Sequence, residues 1–213
     1  MAIFQRIISG LFRKITPFRT VAAKELGDAA ELPFILKRTV ALVGMMGAGK
    51  TAIGTALAKR LQVPFLDSDT EIVRAADRSI AEIFERDGEA FFRDRETEVI
   101  ARLLEGPPCV LSTGGGAFLR PENREIIAAH GTSLWLRAEL ELLWQRVRHK
   151  TTRPLLNTDN PRATLASIQE ARDPLYARAE ITVDAEFDLS IEDMTERVIG
   201  ILGAHSHVLE LQR

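Results

Sequence analysis

The stretch Gly44-Met45-Met46-Gly47-Ala48-Gly49-Lys50-Thr51 follows an apolar run, Thr39-Val40-Ala41-Leu42-Val43, and precedes residues 52–61, which have helical spacing. A strand, a glycine loop and a helix in that order are the setting in which G-x-x-x-x-G-K-T forms a phosphate-binding P-loop rather than a chance turn. The glycines let the backbone wrap closely around phosphate oxygens, and the N–H groups at the helix start point a positive dipole at them. The sequence therefore predicts a site for a nucleoside triphosphate.

This loop also predicts roles for its polar residues. We expect Lys50 to reach the β- and γ-phosphates of ATP and the Thr51 hydroxyl to ligate Mg²⁺. The expected ATP contacts within this segment are Gly47, Ala48, Gly49, Lys50, Thr51 and Ala52.

Length and composition limit the class of protein. The chain has 213 residues, 46% of them hydrophobic, a net charge of −2 and a pI near 6.1, as expected for one α/β domain with tails. The charge balance does not favour nucleic acid as a partner, and no run approaches the roughly 18 apolar residues that span a membrane. The single cysteine, Cys109, excludes an internal disulfide and is expected to be a buried thiol. These features predict a reducing, aqueous compartment, which we take to be the cytoplasm.

Apolar runs alternate with helical periods along the rest of the chain, which predicts a parallel sheet built from βαβ units. After the first strand, the candidate strands are residues 64–66, 109–111, 133–136 and 181–183. Ser79 with Glu82, and Ser190 with Asp193, have the spacing of capping boxes that open helices. Gly88 is expected to separate a helix over residues 80–86 from one over residues 89–104.

The two ends of the chain differ from the middle. Up to Lys24 every charge is positive, and the apolar residues there have helical spacing, so this segment could contact a membrane surface or serve as a transit peptide. We favour a poorly ordered extension with no part in the chemistry. The predicted organisation is an extension over residues 1–37, a P-loop domain over residues 38–203 and a tail over residues 204–213.

Two acidic residues, Asp67 and Asp69, follow the second candidate strand. On an extended segment carboxylates at i and i+2 point to the same side, here toward the bound triphosphate. We assign Asp67 to the metal and Asp69 to the acceptor hydroxyl. Asp-x-Asp is also common in turns and helix caps, so the pair gains its weight from the preceding P-loop.

Two further segments carry candidate acceptor residues. Arg93 and Glu96 are i, i+3 neighbours on a predicted helix, so the carboxylate can orient the guanidinium for a bidentate grip on a substrate carboxylate. From spacing alone, a solvated surface pair would be the commoner interpretation. The run Gly114-Gly115-Gly116 follows another strand, where bare backbone N–H groups can bind an oxygen-rich ligand or merely form a flexible turn.

A polar loop opens with Thr152-Arg153-Pro154-Leu155-Leu156 and continues with Asn, Asp and Pro to residue 161. Such a loop between two helices suits a lid that closes over the phosphates. Arg153 could then stabilise charge on the transferring phosphoryl group. A plain connecting loop is the alternative.

Together these motifs resemble those of the shikimate kinase family. The family pattern is a P-loop, L-D-x-D, S-I-x-x-I-F, G-E-x-x-F-R-x-x-E, G-G-G-A, R-P-L-L and R-x-P-L-Y, in that order. The matching segments are residues 44–51, 66–69, 79–84, 88–96, 114–117, 153–156 and 172–176, so the resemblance covers roughly residues 38–203. Each motif occurs in other small-molecule kinases, but the full series is highly specific.

The resemblance implies a P-loop fold like that of the nucleoside monophosphate kinases, with a five-stranded parallel sheet flanked by helices and a lid. It implies transfer of the ATP γ-phosphoryl group to the 3-hydroxyl of shikimate, with Mg²⁺, in a monomer on the chorismate route to aromatic amino acids. Asp69 would bind the ring hydroxyls and accept the proton, and Glu96 would orient Arg93. The other implied contacts are Arg93 and Arg172 with the shikimate carboxylate, Gly114, Gly115 and Gly116 with the substrate, Arg153 with the phosphates, and Arg146 near adenine.

Two alternatives remain at this point. One is another small-molecule kinase of the same fold, acting on gluconate or a nucleoside monophosphate. The other is a non-catalytic nucleotide-binding protein that uses its basic N-terminal segment to dock on a membrane or a partner. The run Gly114–Gly116 and the arginines at positions 93, 153 and 172 argue against the first alternative. The second is opposed by the intact residues Lys50, Thr51, Asp67 and Asp69.

Overall fold

The central sheet of the protein has five strands, all of them parallel, among the residues that the structure describes. The computed structural model describes residues 34–149 and 154–212. The strands of this sheet are β2 (Thr39–Val43), β3 (Phe65–Asp67), β4 (Val110–Ser112), β5 (Gly131–Ala138) and β6 (Ile181–Ala185). Their order across the sheet is β3-β4-β2-β5-β6. All neighbouring pairs are parallel, which confirms the predicted five-stranded sheet.

Strand β2 lies at the centre of this sheet, between β4 and β5. All five of its residues are buried, as expected of a central strand in a parallel sheet that is covered on both faces. The strand order reverses at β2, because β3 and β4 lie on one side of it and β5 and β6 on the other. Ligands of open α/β sheets bind at the carboxyl ends of strands at such a point, and the P-loop begins there.

Helices connect the strands and flank the sheet. They are α1 (Lys50–Leu61), α2 (Ser68–Ala76), α3 (Ile80–Leu104), α4 (Pro121–His130), α5 (Leu140–Val147), α6 (Pro161–Tyr176) and α7 (Ile191–Gly203), with short 3₁₀ helices at Ala117–Leu119 and Pro154–Leu156. Helix α1 packs against α7, and α3 packs against α4. Their apolar sides join the sheet in one core that includes Leu42, Leu57, Leu111 and Leu134.

The predicted helix signals are confirmed. Ser79 and Glu82 form a reciprocal capping box at the start of α3, and Ser190 and Asp193 form one at the start of α7. Gly88 interrupts α3 with a non-helical backbone, φ 82° and ψ 169°. The helix therefore bends at the residue that the sequence predicted as a boundary, and the second half carries Arg93 and Glu96.

The strands that follow the P-loop differ slightly from the prediction. β3 and β4 each begin and end one residue later than expected, and β5 is longer at both ends. Strands β3 and β4 each include a polar residue at the carboxyl end, because the backbones of Asp67 and Ser112 still pair with each other. Cys109 precedes β4 and is fully buried, as predicted, and burial raises the pKa of its thiol.

Two short strands form a second, antiparallel sheet that the sequence did not predict. β1 (Phe34–Leu36) pairs with β7 (Leu209–Leu211), so that Phe34 lies opposite Leu211. Both segments were expected to belong to the terminal extension and tail rather than to a sheet. The fold therefore extends beyond residues 38–203, because a three-residue strand before this range pairs with a three-residue strand after it.

The tail histidines lie just before β7. The imidazole of His207 is 2.8 Å from a carboxylate oxygen of Glu180, and its ring lies edge-on to His205. Within residues 34–149 and 154–212 no helix is both long and apolar enough to cross a bilayer.

Candidate active site

The P-loop runs from the end of β2 to the start of α1, as predicted. Three of its glycines have positive φ, and Gly47 shows why no larger residue fits: at φ 86°, a Cβ there would lie 2.8 Å from a methyl group of Val147. Helix α1 begins at Lys50 with no side-chain cap and no acidic residue in its first turn. Its N-terminal N–H groups and dipole are therefore available to an anion such as a phosphate.

Lys50 and Arg146 lie beside this loop. The Lys50 ammonium donates hydrogen bonds to the carbonyls of Gly44 at 2.7 Å and Met45 at 3.1 Å. Arg146 on α5 lies 3.3 Å from the carbonyl of Gly47 and 3.2 Å from that of Ala48, and donates to both. Burial lowers the pKa of Arg146. The structure thus brings both predicted cations to the P-loop.

A cavity of about 440 Å³ joins the P-loop to the ends of β3 and β4. It is lined on the nucleotide side by Gly47, Gly49, Lys50, Thr51, Ala52 and Arg146, and on the other side by Asp67, Asp69, Gly114 and Gly115. Most of the predicted triphosphate contacts and several predicted acceptor contacts therefore face one space, whereas Ala48 is buried and does not line it. A cavity of this size can hold the reacting ends of two substrates.

The two aspartates occupy different elements, which corrects the picture of both on one extended segment. Asp67 ends β3 and caps α2, since its carboxylate accepts a hydrogen bond from the Thr70 N–H at 3.1 Å. Asp69 lies in the first turn of α2. The chain turns into a helix directly after Asp67 because that side chain satisfies one of the helix's N–H groups. Both carboxylates still line the cavity.

Thr51 and Asp67 are the residues that could hold a metal ion. Both line the cavity, and a hydroxyl and a carboxylate are hard oxygen ligands of the kind that Mg²⁺ takes. Within the part of the chain that the structure describes, no group of three His, Cys, Asp or Glu could hold a metal alone. A nucleotide-bound Mg²⁺ usually takes one or two protein carboxylates together with phosphate oxygens, and the donors of Thr51 and Asp67 are of the kind it uses.

The pair of Arg93 and Glu96 is not a solvated surface pair. Glu96 is completely buried, and one of its oxygens accepts a hydrogen bond from Arg93 at 2.8 Å. Burial raises the pKa of Glu96, and the positive charge of Arg93 opposes that rise. Burial also works to lower the pKa of Arg93, but Glu96 and Glu89 hold it above its usual value. The guanidinium is therefore charged and fixed in one direction.

The glycine run packs between these charged groups. A Cβ on Gly114 would lie 2.6 Å from Asp69 and 2.8 Å from Glu96, and one on Gly116 would lie 2.5 Å from Arg93. Such distances are too short for a real side chain, so glycine is required by the close approach of neighbouring charged groups. The Gly114 N–H was expected to contact a ligand, but it donates to the buried Ser68 hydroxyl at 3.1 Å. The run thus serves as a close-packed support as well as a part of the cavity wall.

Arg172 approaches the glycine run from α6. A Cβ on Gly115 would lie 3.8 Å from its guanidinium, an ordinary contact distance. One helical turn later, the hydroxyl of Tyr176 donates a 2.5 Å hydrogen bond to the Gly115 carbonyl. Arg93 and Arg172, 79 positions apart in the sequence, therefore both lie against three consecutive glycines.

A comparison with known proteins identifies the family. The family model described as shikimate kinase matches residues 46–202. The shikimate kinase of Ruegeria pomeroyi is 65% identical over 176 residues, which cover 83% of this chain and 90% of that protein. The chain belongs to the shikimate kinase family.

Further shikimate kinases support this assignment. The protein of Cereibacter sphaeroides is 58% identical over 183 residues, covering 86% of this chain and 92% of that protein. A solved shikimate kinase of Acinetobacter baumannii, in complex with shikimate, is 40% identical with a TM-score of 0.71 and covers 79% of this chain and 92% of that one. The predicted family and P-loop fold are therefore confirmed.

Arg153, the shikimate kinase lid residue of the sequence prediction, lies outside the described residues. The structure resumes at a 3₁₀ helix, Pro154–Leu156, in which Leu155 is exposed. The function of Arg153 therefore stays a prediction that rests on the family motif.

The structure adds residues to this shikimate kinase site that the sequence did not predict. Ser68 and Tyr176 bond to the glycine run, and the start of α7 contributes Leu189, Ser190, Ile191 and Met194 to the cavity. The capping box at Ser190 located the helix start, but no sequence signal placed it beside the P-loop. Ser68 and Tyr176 lie inside matched motifs, yet their contacts arise only from the packing of α2 and α6 against the loop.

Proposed function

We propose that this protein transfers the γ-phosphoryl group of ATP to the 3-hydroxyl of shikimate, giving shikimate 3-phosphate for aromatic amino acid biosynthesis. The observation that carries this proposal is the shared cavity, which has a P-loop on one side and Asp69 and the glycine run on the other. Family membership at high identity supports the choice of substrate.

The acceptor side suits the chemistry of shikimate, a small anion with three hydroxyl groups. Arg93 and Arg172 flank the glycine run, where together they can grip a carboxylate with paired N–H groups. Asp69, on the cavity wall, would bind ring hydroxyls and accept the proton of the attacking one. The carboxylate is thereby held on one side and the reacting hydroxyl is directed toward the P-loop.

The nucleotide side supplies positive charge where the phosphoryl group is transferred. Phosphoryl transfer needs little covalent chemistry from the protein, so positioning and charge neutralisation determine the rate. The P-loop N–H groups and Lys50 would bind the phosphates, and Arg146 would lie near the base. We assign Arg153 to the phosphates when the lid closes, which keeps water from the reaction.

Mg²⁺ belongs to the same proposal. When bound, it would neutralise charge on the β- and γ-phosphates, and Thr51 and Asp67 would hold it. The hydroxyl and carboxylate that line the cavity support this assignment. Two parts of the proposal remain. The monomer rests on the family resemblance, and the cytoplasmic location rests on the sequence features that predict a reducing, aqueous compartment.

The decisive experiment measures ADP release from ATP and Mg²⁺ with and without shikimate, with gluconate and nucleoside monophosphates as alternative acceptors. We expect turnover that depends on shikimate and on Mg²⁺. ATP binding without any response to shikimate would leave the P-loop assignment standing but would contradict the proposed acceptor.

A truncated variant tests whether the N-terminal extension matters for the reaction. We propose that residues 1–31 take no part in the chemistry, so a variant that begins at residue 32 keeps β1 and full shikimate-dependent activity. A large fall in kcat/KM with the unfolding temperature unchanged would show that the extension contributes to the site.

A further inference from the structure

Tyr176 is the last residue of α6 and lies one helical turn after Arg172. Its side chain is completely buried, and its ring lies 6.1 Å from that of Trp135. Its hydroxyl donates to the carbonyl oxygen of Gly115 at 2.5 Å. Because the carbonyl of Gly115 and the N–H of Gly116 share one planar peptide unit, this bond fixes the direction of both.

Arg172 lies beside the same glycine. Its guanidinium is 3.8 Å from the position that a Cβ of Gly115 would occupy, and residues at i and i+4 share one face of a helix. The Tyr176 hydroxyl donates its single proton to the carbonyl of Gly115. The lone pairs of its oxygen can therefore accept a hydrogen bond from a guanidinium. Burial raises the pKa of Tyr176, while the nearby positive charge of Arg172 opposes that rise, so the phenol stays protonated at neutral pH.

The two arginines of the acceptor pocket thus have different buried neighbours. Arg93 is held by the Glu96 carboxylate, which cancels part of its charge. Arg172 and the neutral phenol of Tyr176 instead approach the same residue, Gly115. A neutral neighbour can fix the direction of a guanidinium and leave its full positive charge for a ligand. A carboxylate also fixes the direction, but its negative charge cancels part of the positive charge.

We propose that Tyr176 is a positioning residue, whose hydroxyl holds Arg172 against the glycine run in the orientation that binds the substrate carboxylate. Tyr176 does not contact the reacting atoms in this scheme and acts through Arg172. The inference rests on the proposed function, because it takes the shikimate carboxylate as the partner of Arg172.

The test begins with Tyr176→Phe, which removes the hydroxyl and keeps the ring. We expect the KM for shikimate to rise about tenfold, with kcat within about threefold and the KM for ATP within about twofold of wild type. The matched control is Ser133→Ala, because the Ser133 hydroxyl accepts a 3.0 Å hydrogen bond from the Glu180 N–H at the opposite end of the sheet. The control also loses a side chain–backbone hydrogen bond, yet its KM for shikimate should not change.

A double-mutant cycle shows whether the hydroxyl acts through Arg172. The KM for shikimate is measured for Arg172→Ala, Tyr176→Phe and the double variant. If Tyr176 positions Arg172, its loss changes the KM by less than about twofold once Arg172 is absent. Additive effects of the two substitutions would overturn the proposal.

The remaining outcomes separate this inference from the proposed function. A wild-type protein that does not respond to shikimate contradicts the function itself. A responsive wild type together with an unchanged KM in Tyr176→Phe overturns only the role of Tyr176. If Tyr176→Phe lost affinity for ATP as well, or failed to fold, the hydroxyl would serve the fold as a whole, and the positioning role would be wrong.

Discussion

The nucleotide half and the acceptor half of the cavity are built in different ways. The P-loop offers the groups that we propose to bind phosphate on eight consecutive residues, 44–51, and most of these groups belong to the backbone. The acceptor half collects side chains from α2, α3 and α6 around three glycines. A continuous backbone site needs only the correct local turn, whereas a site assembled from distant side chains needs buried partners that hold each side chain in place.

The largest expected effect tests the nucleotide half. Lys50→Ala should lower kcat about 10²- to 10³-fold, because a cation that neutralises developing charge is lost, while the KM for shikimate changes little. The control is Lys59→Ala, which removes an exposed lysine from the last turn of the same helix. Near-normal turnover in steady-state assays of Lys50→Ala would contradict its role.

The next effect belongs to the acceptor half. Arg93→Ala should raise the KM for shikimate about 10- to 100-fold, since a charge-assisted contact to the carboxylate disappears, and should leave ATP affinity unchanged. Arg95→Ala is the matched control, because Arg95 lies on the same helix but pairs with the exposed Glu98. Equal losses for both ligands in calorimetric titrations would break the proposed division between the two halves.

The glycine run gives a steric test of the same half. Gly114→Ala places a methyl group within 3 Å of both Asp69 and Glu96, so we expect a shikimate KM about tenfold higher and a free energy of unfolding about 1–3 kcal/mol lower. Gly200→Ala on α7 has open space around its Cβ and should instead stabilise the protein by about 0.5–1 kcal/mol. Denaturant unfolding and kinetics on both variants measure the contrast, and an unaltered Gly114→Ala enzyme would refute the packing argument.

The smallest effect concerns the buried carboxylate of Glu96, whose pKa is raised above the usual value near 4.5. In that pH range the folded state binds more protons at this group than the unfolded state, so its contribution to stability falls as the pH rises from the unfolded pKa through the folded one. Glu96→Gln should remove this pH dependence, which amounts to about 1.4 kcal/mol per unit of pKa difference. Urea unfolding at several pH values is the measurement.

Glu98→Gln serves as the control for that experiment, because Glu98 is half-exposed and forms a surface pair on the same helix. Its stability should follow the wild-type pH profile. If the stability of Glu96→Gln also followed the wild-type pH profile, burial would not be raising the pKa of Glu96.

The same contrast explains how much the sequence could predict. The P-loop, the capping boxes and the interruption at Gly88 depend on residues close together in the chain, and the structure confirms them. The acceptor arginines were assigned through a family resemblance, since spacing alone favoured a surface pair for Arg93 and Glu96. That Glu96 is buried follows from the packing of α3 against the glycine run, which no local pattern shows.

Other features depended on contacts between distant segments. Ser68 and Tyr176 form hydrogen bonds with glycines that lie 46 and 61 positions away in the sequence. The residues at the start of α7 line the P-loop cavity although they lie far from the P-loop in the sequence. Strands β1 and β7 have three residues each, too few to show an alternating pattern. Asp-x-Asp is also common in helix caps, but the preceding P-loop favoured two carboxylates on one extended segment. Asp67 caps α2 instead, which puts Asp69 in the first turn of that helix.

The pairing of Phe34–Leu36 with Leu209–Leu211 has a practical consequence for engineering. It places the first and last strands of the described fold side by side, with Phe34 directly opposite Leu211. A linker of a few residues could join these positions, and new termini could open at the exposed turn around Pro107, between α3 and β4. Such a circular permutant would place the glycine run and Arg172 before the P-loop in the chain, with Asp69 and Arg93 still after it, and would keep all of them at the same edge of the sheet.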